Sequence, residues 1–281
     1  MGRLGLAILV LVSLAAGPAA AESDALTRPL VMHDSPTLPI PPAALSEAAR
    51  ARAEGVLNHQ IFAQRVAGIR YRSREAVFEF LLDHPDFAAT VARALRVGQY
   101  RLDRVGDEYV GDDARGARGL VRLLYADAGQ RLYHLEGRYE ARGLPSLSGE
   151  MLVLLEYRHE DDGEGGTVVD SSLTGHLRID TPFVGALAGV LNGLARPVVT
   201  RAVERKVRRF FQTVARVSRW AYDEPAQLHA ALDGNPDVPQ GPVLAAFSRI
   251  LLVDRAPTWV REPFHLTAPP STLDGPAFDG S

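Results

Sequence analysis

Few residues in this chain combine a reactive type with a spacing that could do chemistry, and the foremost are tyrosines. Tyr133, Tyr139 and Tyr157 fall on the apolar parity of two alternating segments. A buried phenol seeks a hydrogen-bond partner, which is either the backbone of an ordinary core or the polar head of an otherwise apolar ligand. His134 and His176, with Glu136 nearby, occupy the polar parity of such segments; two imidazoles and a carboxylate are metal donors, but exposed strand residues give the same pattern. Asp161, Asp162 and Glu164 crowd a turn that lacks the spacing of a calcium loop. No Gly-x-Ser-x-Gly elbow, His-Glu-x-x-His pair, phosphate-binding Gly-x-x-x-x-Gly-Lys loop or dinucleotide fingerprint is present. With no Cys in 281 residues, disulfides, thiolate zinc sites and iron–sulfur clusters are excluded. The expectation is therefore no metal, no cofactor and no catalytic residue.

Charge adds one further pattern. The formal net charge is −3 and all but one of the 31 basic residues are arginine, Lys206 being the exception. No global positive field is available for nucleic acid. Locally, Arg201, Arg205, Arg208, Arg209, Arg216 and Arg219 share one side of a helical stretch whose other side carries Val199, Val203, Val207, Phe210, Val214, Val217 and Ala221. Such a stripe suits contact with an anionic membrane, where each basic residue contributes about 1 kcal/mol. It equally suits a solvated face neutralised by acidic residues elsewhere in the chain.

These residues must be positioned by the elements around them. Arg3, the apolar run Leu4 to Ala16 and Ala19-Ala20-Ala21 form a secretory signal pattern with cleavage expected after Ala21. The mature chain is then periplasmic or secreted. Residues 22–58 read as a Pro-rich extended arm followed by a short covering helix from Ala43 to Asn58. Gln60 to Arg72 reads as a strand, after which Ser73 offers a helix N-cap; Pro85 then divides the helical pattern into two short helices. Gln99 to Val105, Arg118 to Tyr125, Arg131 to Glu140, Glu150 to Arg158 and Thr167 to Asp180 read as strands of an antiparallel meander with one apolar face. Phe183 to Tyr222 reads as a long helix covering that face, with Pro197 interrupting it. Its first part, Phe183 to Ala195, carries no charge and repeats Gly185, Gly189 and Gly193, the pattern of a mobile gate or of close helix packing. Residues 223–281 read as a helical extension and a Pro-rich tail.

The order strand, two short helices, antiparallel strands and long helix resembles the START and polyketide-cyclase-like superfamily. The segment Tyr71-Arg72-Ser73-Arg74-Glu75-Ala76-Val77-Phe78-Glu79-Phe80-Leu81-Leu82-Asp83, with its aspartate-then-proline break, is similar to the strand-into-helix start of that superfamily. The likeness runs from about Gln60 to Tyr222. It implies an α+β helix-grip fold, a curved antiparallel sheet wrapped around a long C-terminal helix, here carrying N- and C-terminal extensions. It also implies a cavity for an apolar ligand. The superfamily has no universal catalytic set, so no catalytic residue carries over.

The opposed apolar faces then line the expected cavity with Tyr133, Leu135, Tyr139, Val153, Leu155, Tyr157, Ser171, Leu173, Gly175 and Leu177 from strands and Leu187, Leu191, Val203 and Phe210 from the helix. Ser171 and Gly175 are too small to fill the space, although a glycine also marks a bulge. The functions that follow are binding or transfer of a lipid or other hydrophobic molecule, cyclase-, aromatase- or hydrolase-like catalysis on an apolar substrate, or an interaction module with a solid core. The inward faces as read show tyrosines but no carboxylate or histidine, which weighs against catalysis.

Overall fold

Alternating segments joined by Gly-Asp turns become eight antiparallel strands in one sheet, ordered β1-β2-β8-β7-β6-β5-β4-β3. The computed structural model describes residues 31–34, 37–140, 146–163, 166–180 and 196–252; within 196–209 the side chains of 196–200, Ala202, Val203, Lys206 and Arg209 lie outside the description. The signal pattern, the gate at 183–195 and the Pro-rich tail fall outside these residues. The strands are β1 (Val31–Asp34), β2 (Phe62–Arg72), β3 (Arg101–Val105), β4 (Glu108–Asp112), β5 (Ala117–Ala126), β6 (Gln130–Tyr139), β7 (Leu147–Asp161) and β8 (Thr167–Ile179). The helices are α1 (Glu47–Leu57), α2 (Glu75–Asp83), α3 (Pro85–Ala94), α4 (Arg196–Asp223), α5 (Pro225–Leu232) and α6 (Pro242–Leu252). The chain is thus α+β.

Several boundaries differ from the sequence reading for identifiable reasons. The arm was read as an extended linker, yet Val31–Asp34 pairs with β2 as an edge strand. β4 was not anticipated; Gly106 at φ +64° turns the chain between β3 and β4 within two residues. β7 runs past Arg158 to Asp161 and so adds His159 to the inward parity. Ser73 is not the N-cap. It is fully buried and its hydroxyl donates to the Arg74 carbonyl at 3.4 Å; Arg74 takes the cap position, where its side chain makes no capping hydrogen bond. Pro85 opens α3 directly after α2 ends at Asp83.

Glycine decides how the sheet bends. Gly111, Gly119, Gly137 and Gly149 are register partners in one row across β4, β5, β6 and β7. A Cβ at Gly119 would fall well inside contact distance of the Glu136 carbonyl oxygen, one at Gly137 would meet the Arg118 oxygen, and one at Gly149 the Arg178 oxygen. Backbone oxygens of a paired strand cannot retreat without breaking the ladder, so the strands close up here only because no side chain intervenes. Irregularities between Val66 and Ile69, with Gly68 at φ +80°, and between Leu123 and Tyr125 add local bends.

Both faces of the sheet are covered in part. On the inner face α2 and α4 bury Val66, Ile69, Tyr71, Leu155, Tyr157 and Val169 against Phe78, Phe211 and Ala215. On the outer face Ala53 and Val56 of α1, with Ile40, cover Leu132, Leu152 and Leu154. The meander read as one-faced is therefore apolar on both sides at its centre. In consequence His134 and His176 are only 2% and 1% exposed, not surface residues. They flank Leu152 on opposite sides, and each has its own partner: His134 Nε2 meets Glu150 at 2.9 Å and His176 Nδ1 meets Gln60 at 2.6 Å.

The C-terminal extension is integral. Leu228 and Leu232 of α5 and Leu244, Phe247 and Leu251 of α6 share a core with Phe80, Phe87 and Val91 of α2 and α3. Arg74 donates to the Leu251 and Ile250 carbonyls at 2.6 and 2.8 Å, satisfying the open end of α6. Among the described residues, α1 packs on the outer face and α5 and α6 pack against α2 and α3, so neither extension lies over the inner face.

Two outcomes follow. Gly137→Ala should cost at least about 2 kcal/mol in urea unfolding, while Gly175→Ala, whose Cβ meets nothing within 4 Å, should change stability by under about 0.5 kcal/mol. Burial lowers the His176 imidazole below its ordinary 6.5, so the unfolded chain takes up the proton first. Stability should be full above that value and fall as the pH drops from it through the lowered folded value; unfolding midpoints between neutral and mildly acid pH should show this slope, flattened by His176→Gln.

Candidate functional site

The inner face can be followed row by row from α2 toward the glycine crease. Tyr157 pairs with Ser171, then Leu155 with Leu173, then Tyr133 with Val153 and Gly175, then Leu135 with Met151 and Leu177. Tyr139 pairs with Leu147 beyond the crease. All ten strand residues expected to line a cavity thus lie on one face. Under α2 that face is closed, with Leu155 and Tyr157 buried. Farther out, Tyr133, Leu135, Val153, Leu173 and Leu177 are half-buried and Leu123, the β5 partner of Tyr133, is 48% exposed. Gly175 sits among them with open space where a side chain would stand.

The helix residues expected opposite these rows fare differently. Leu187 and Leu191 are outside the described residues, as is the Val203 side chain. Phe210 is 43% exposed, edge-on to Tyr100 at 5.5 Å. Phe211, its neighbour, is the ring that enters the core, followed on the same side by Ala215, Ser218 and Tyr222. Of the apolar side of α4 read from sequence, Val217 and Ala221 are buried and Val207 and Val214 pack against the inner core, so Phe210 is the displaced member, its place taken by Phe211.

A polar group that the sequence reading missed stands in the closed half. Glu79 of α2 accepts hydrogen bonds from Tyr157 Oη and Arg131 Nη2, each at 3.1 Å, and lies 3.5 Å from His159 Nε2. Arg131 also reaches Asp83 at 3.4 Å and the Asp127 and Gln130 carbonyls, with its guanidinium carbon 5.8 Å from the centre of the Tyr157 ring. Burial, reinforced by the bond to Glu79, pushes the Tyr157 phenol up. The statement that the inward face lacks carboxylate and histidine is overturned by these residues. Two signals were present: Arg131 shares parity with Tyr133, and Glu79 and Asp83 stand four apart on one helix. The carboxylate, phenol and guanidinium satisfy one another, and the cluster works as a brace between α2 and the sheet.

The remaining candidates separate. With Leu152 between them, His134 and His176 do not converge, and no group of three or more His, Asp or Glu able to hold a metal occurs among the described residues. Asp161 accepts from the Gly163 amide, while Asp162 accepts from Gly166 and pairs with Arg72 at 3.0 Å, which are ordinary turn roles; Glu164 is outside the described residues. Of the arginine stripe, Arg201 and Arg205 are exposed, whereas Arg208 pairs with Glu204 at 3.5 Å and Arg219 with Asp223 at 3.3 Å, both with half-buried side chains. Arg216 is half-buried and the Arg209 side chain is not described. No helix among the described residues is long and apolar enough to cross a membrane. Open grooves of about 590 and 430 Å³ lie away from Gly175; the larger takes in Tyr157 and Ser171 of the expected cavity lining together with paired residues such as Arg65, held by Glu156 at 2.6 Å.

Compared with known proteins, the chain matches no protein-family model and no curated protein. Among solved structures, a conserved protein from Geobacillus kaustophilus is similar over 50% of this chain and 91% of its own, at 10% identity and a TM-score of 0.30. A likeness that slight carries no argument about this chain.

The brace makes a measurable claim. Glu79→Ala leaves the buried Tyr157 hydroxyl without its acceptor and should cost about 2 kcal/mol in urea unfolding, whereas Tyr157→Phe should cost about 1 kcal/mol. The double variant should lose clearly less than the sum.

Proposed function

We propose that this chain is an exported, START-like carrier that holds a lipid or other apolar small molecule between the half-buried rows of the inner face and α4. The observation that carries the reading is the open space at Gly175, in the middle of a face whose neighbours Tyr133, Val153, Leu173 and Leu177 are apolar and incompletely covered. Burying ligand surface there gains about 25 cal/mol per Å² of apolar area. The helix-grip reading is supported by the element order and by α4 lying against β2. Export is supported by the signal pattern at residues 1–21.

The test starts with protein purified from its own cell envelope: native mass spectrometry should show a bound mass that organic extraction removes. Gly175→Leu should then fold with an unchanged thermal midpoint but bind a fluorescent lipid at least about tenfold more weakly, because the new side chain occupies the ligand's space. Undiminished binding by a folded Gly175→Leu protein removes this location.

A further inference from the structure

We infer that the ligand is a neutral molecule carrying a carbonyl or similar hydrogen-bond acceptor on an apolar body, and that Tyr133 is the donor that orients it; this rests on the carrier reading above. Tyr133 stands in the same row as Val153 and Gly175, at the open space, with exposed Leu123 on its other side. Its hydroxyl has no hydrogen-bond partner among the described residues. Of the other phenols, Tyr157 donates to Glu79 at 3.1 Å and Tyr125 to Asp127 at 2.8 Å, whereas the Tyr71 hydroxyl, buried in the closed half away from open space, has no partner among the described residues. A partly desolvated phenol left unpaired in an otherwise apolar space is the pattern of a donor reserved for a ligand. Burial pushes Tyr133 up to about 12, so at neutral pH the group keeps its proton and offers it.

The surrounding charges select against an anionic head. Arg131, Glu79 and Asp83 all act on the Tyr133 phenol. Arg131 is already held by Glu79, Asp83 and two carbonyl oxygens. A second phenol, Tyr109, stands two strands away on the same face, its hydroxyl likewise without a partner among the described residues; it feels Arg104, Asp86 and Asp83. Arg104 is exposed on the edge strand and donates to the Gly106 carbonyl at 3.1 Å. Beside Tyr133, the single Arg131 guanidinium is shared by two carboxylates, Glu79 at 3.1 Å and Asp83 at 3.4 Å, so acidic groups outnumber basic ones in this cluster. A carboxylate head would enter a negative field, whereas an ester, ketone or amide oxygen meets only O–H donors.

The experiment compares one pyrene-labelled long acyl chain as methyl ester, as free carboxylate and as the plain hydrocarbon, at neutral pH. The wild-type chain should bind the ester about tenfold more tightly than the carboxylate. Tyr133→Phe should weaken ester binding about fivefold, the value of one neutral hydrogen bond, and leave hydrocarbon binding unchanged. Its thermal midpoint should not fall, because the hydroxyl it removes bonds to nothing in the protein. Unchanged ester affinity in the folded variant, or a carboxylate bound as tightly as the ester, overturns the inference while the carrier reading stands. Absence of binding for all three probes overturns both.

Discussion

The row of four glycines is the constraint on which the rest of the structure depends. Gly119, Gly137 and Gly149 let neighbouring backbones approach where a Cβ would strike a carbonyl oxygen of the adjacent strand, while one at Gly111 would meet the tip of the Leu102 side chain at 3.3 Å. A sheet that closes up along one line and relaxes on either side of it bends about that line. The bend gives β6, β7 and β8 an inner face with room on it, and fixes which residues look inward. Tyr133, Val153 and Gly175 are adjacent because three hairpin-connected strands share one register, and register is fixed by parity once one face is buried.

What the bend creates, the brace divides. Arg131 is 8% exposed and is tied to Glu79 and Asp83 of α2. Removing either partner from a buried pair is costly even when the pair itself contributes little net stability, so the brace sets where α2 sits more than how stable the chain is. It closes one half of the inner face under Phe78, whose ring packs edge-on to Tyr157 at 5.0 Å and His159 at 5.5 Å. The other half, from Gly175 toward the crease, keeps its half-buried apolar side chains.

Strand parity was legible in the sequence because alternation has a period of two and tolerates errors at strand ends. The ten strand residues assigned to one face needed nothing else. Three features were not legible for physical reasons. The outer-face core at Leu132, Leu152 and Leu154 was hidden because β7 is apolar on both parities, and a continuous apolar run carries no information about which face is covered. The glycine row joins four separate segments and exists only after pairing. Phe210 and Phe211 are adjacent large rings, and the moment of a helix rich in arginine and valine does not resolve which of two neighbours points inward. His159 was lost to a boundary error, since a strand ended three residues early removes an inward residue from the account.

The polar groups of the two halves of the inner face differ in how they hold their protons. General acid–base work needs a group that can exchange a proton near neutral pH and that faces open space. In the closed half, Glu79 of α2 accepts from Tyr157 and Arg131 through Oε2, while its Oε1 lies 3.5 Å from His159 Nε2. In the open half the polar groups include phenols and the buried amide of Gln64, the β2 partner of Gly175, and burial raises Tyr133 and Tyr109 further from neutrality. A phenol held protonated donates a hydrogen bond but abstracts nothing. Around Gly175 stand phenols, apolar side chains and the buried Gln64 of β2, and the proposal of an oriented ligand rests on these groups.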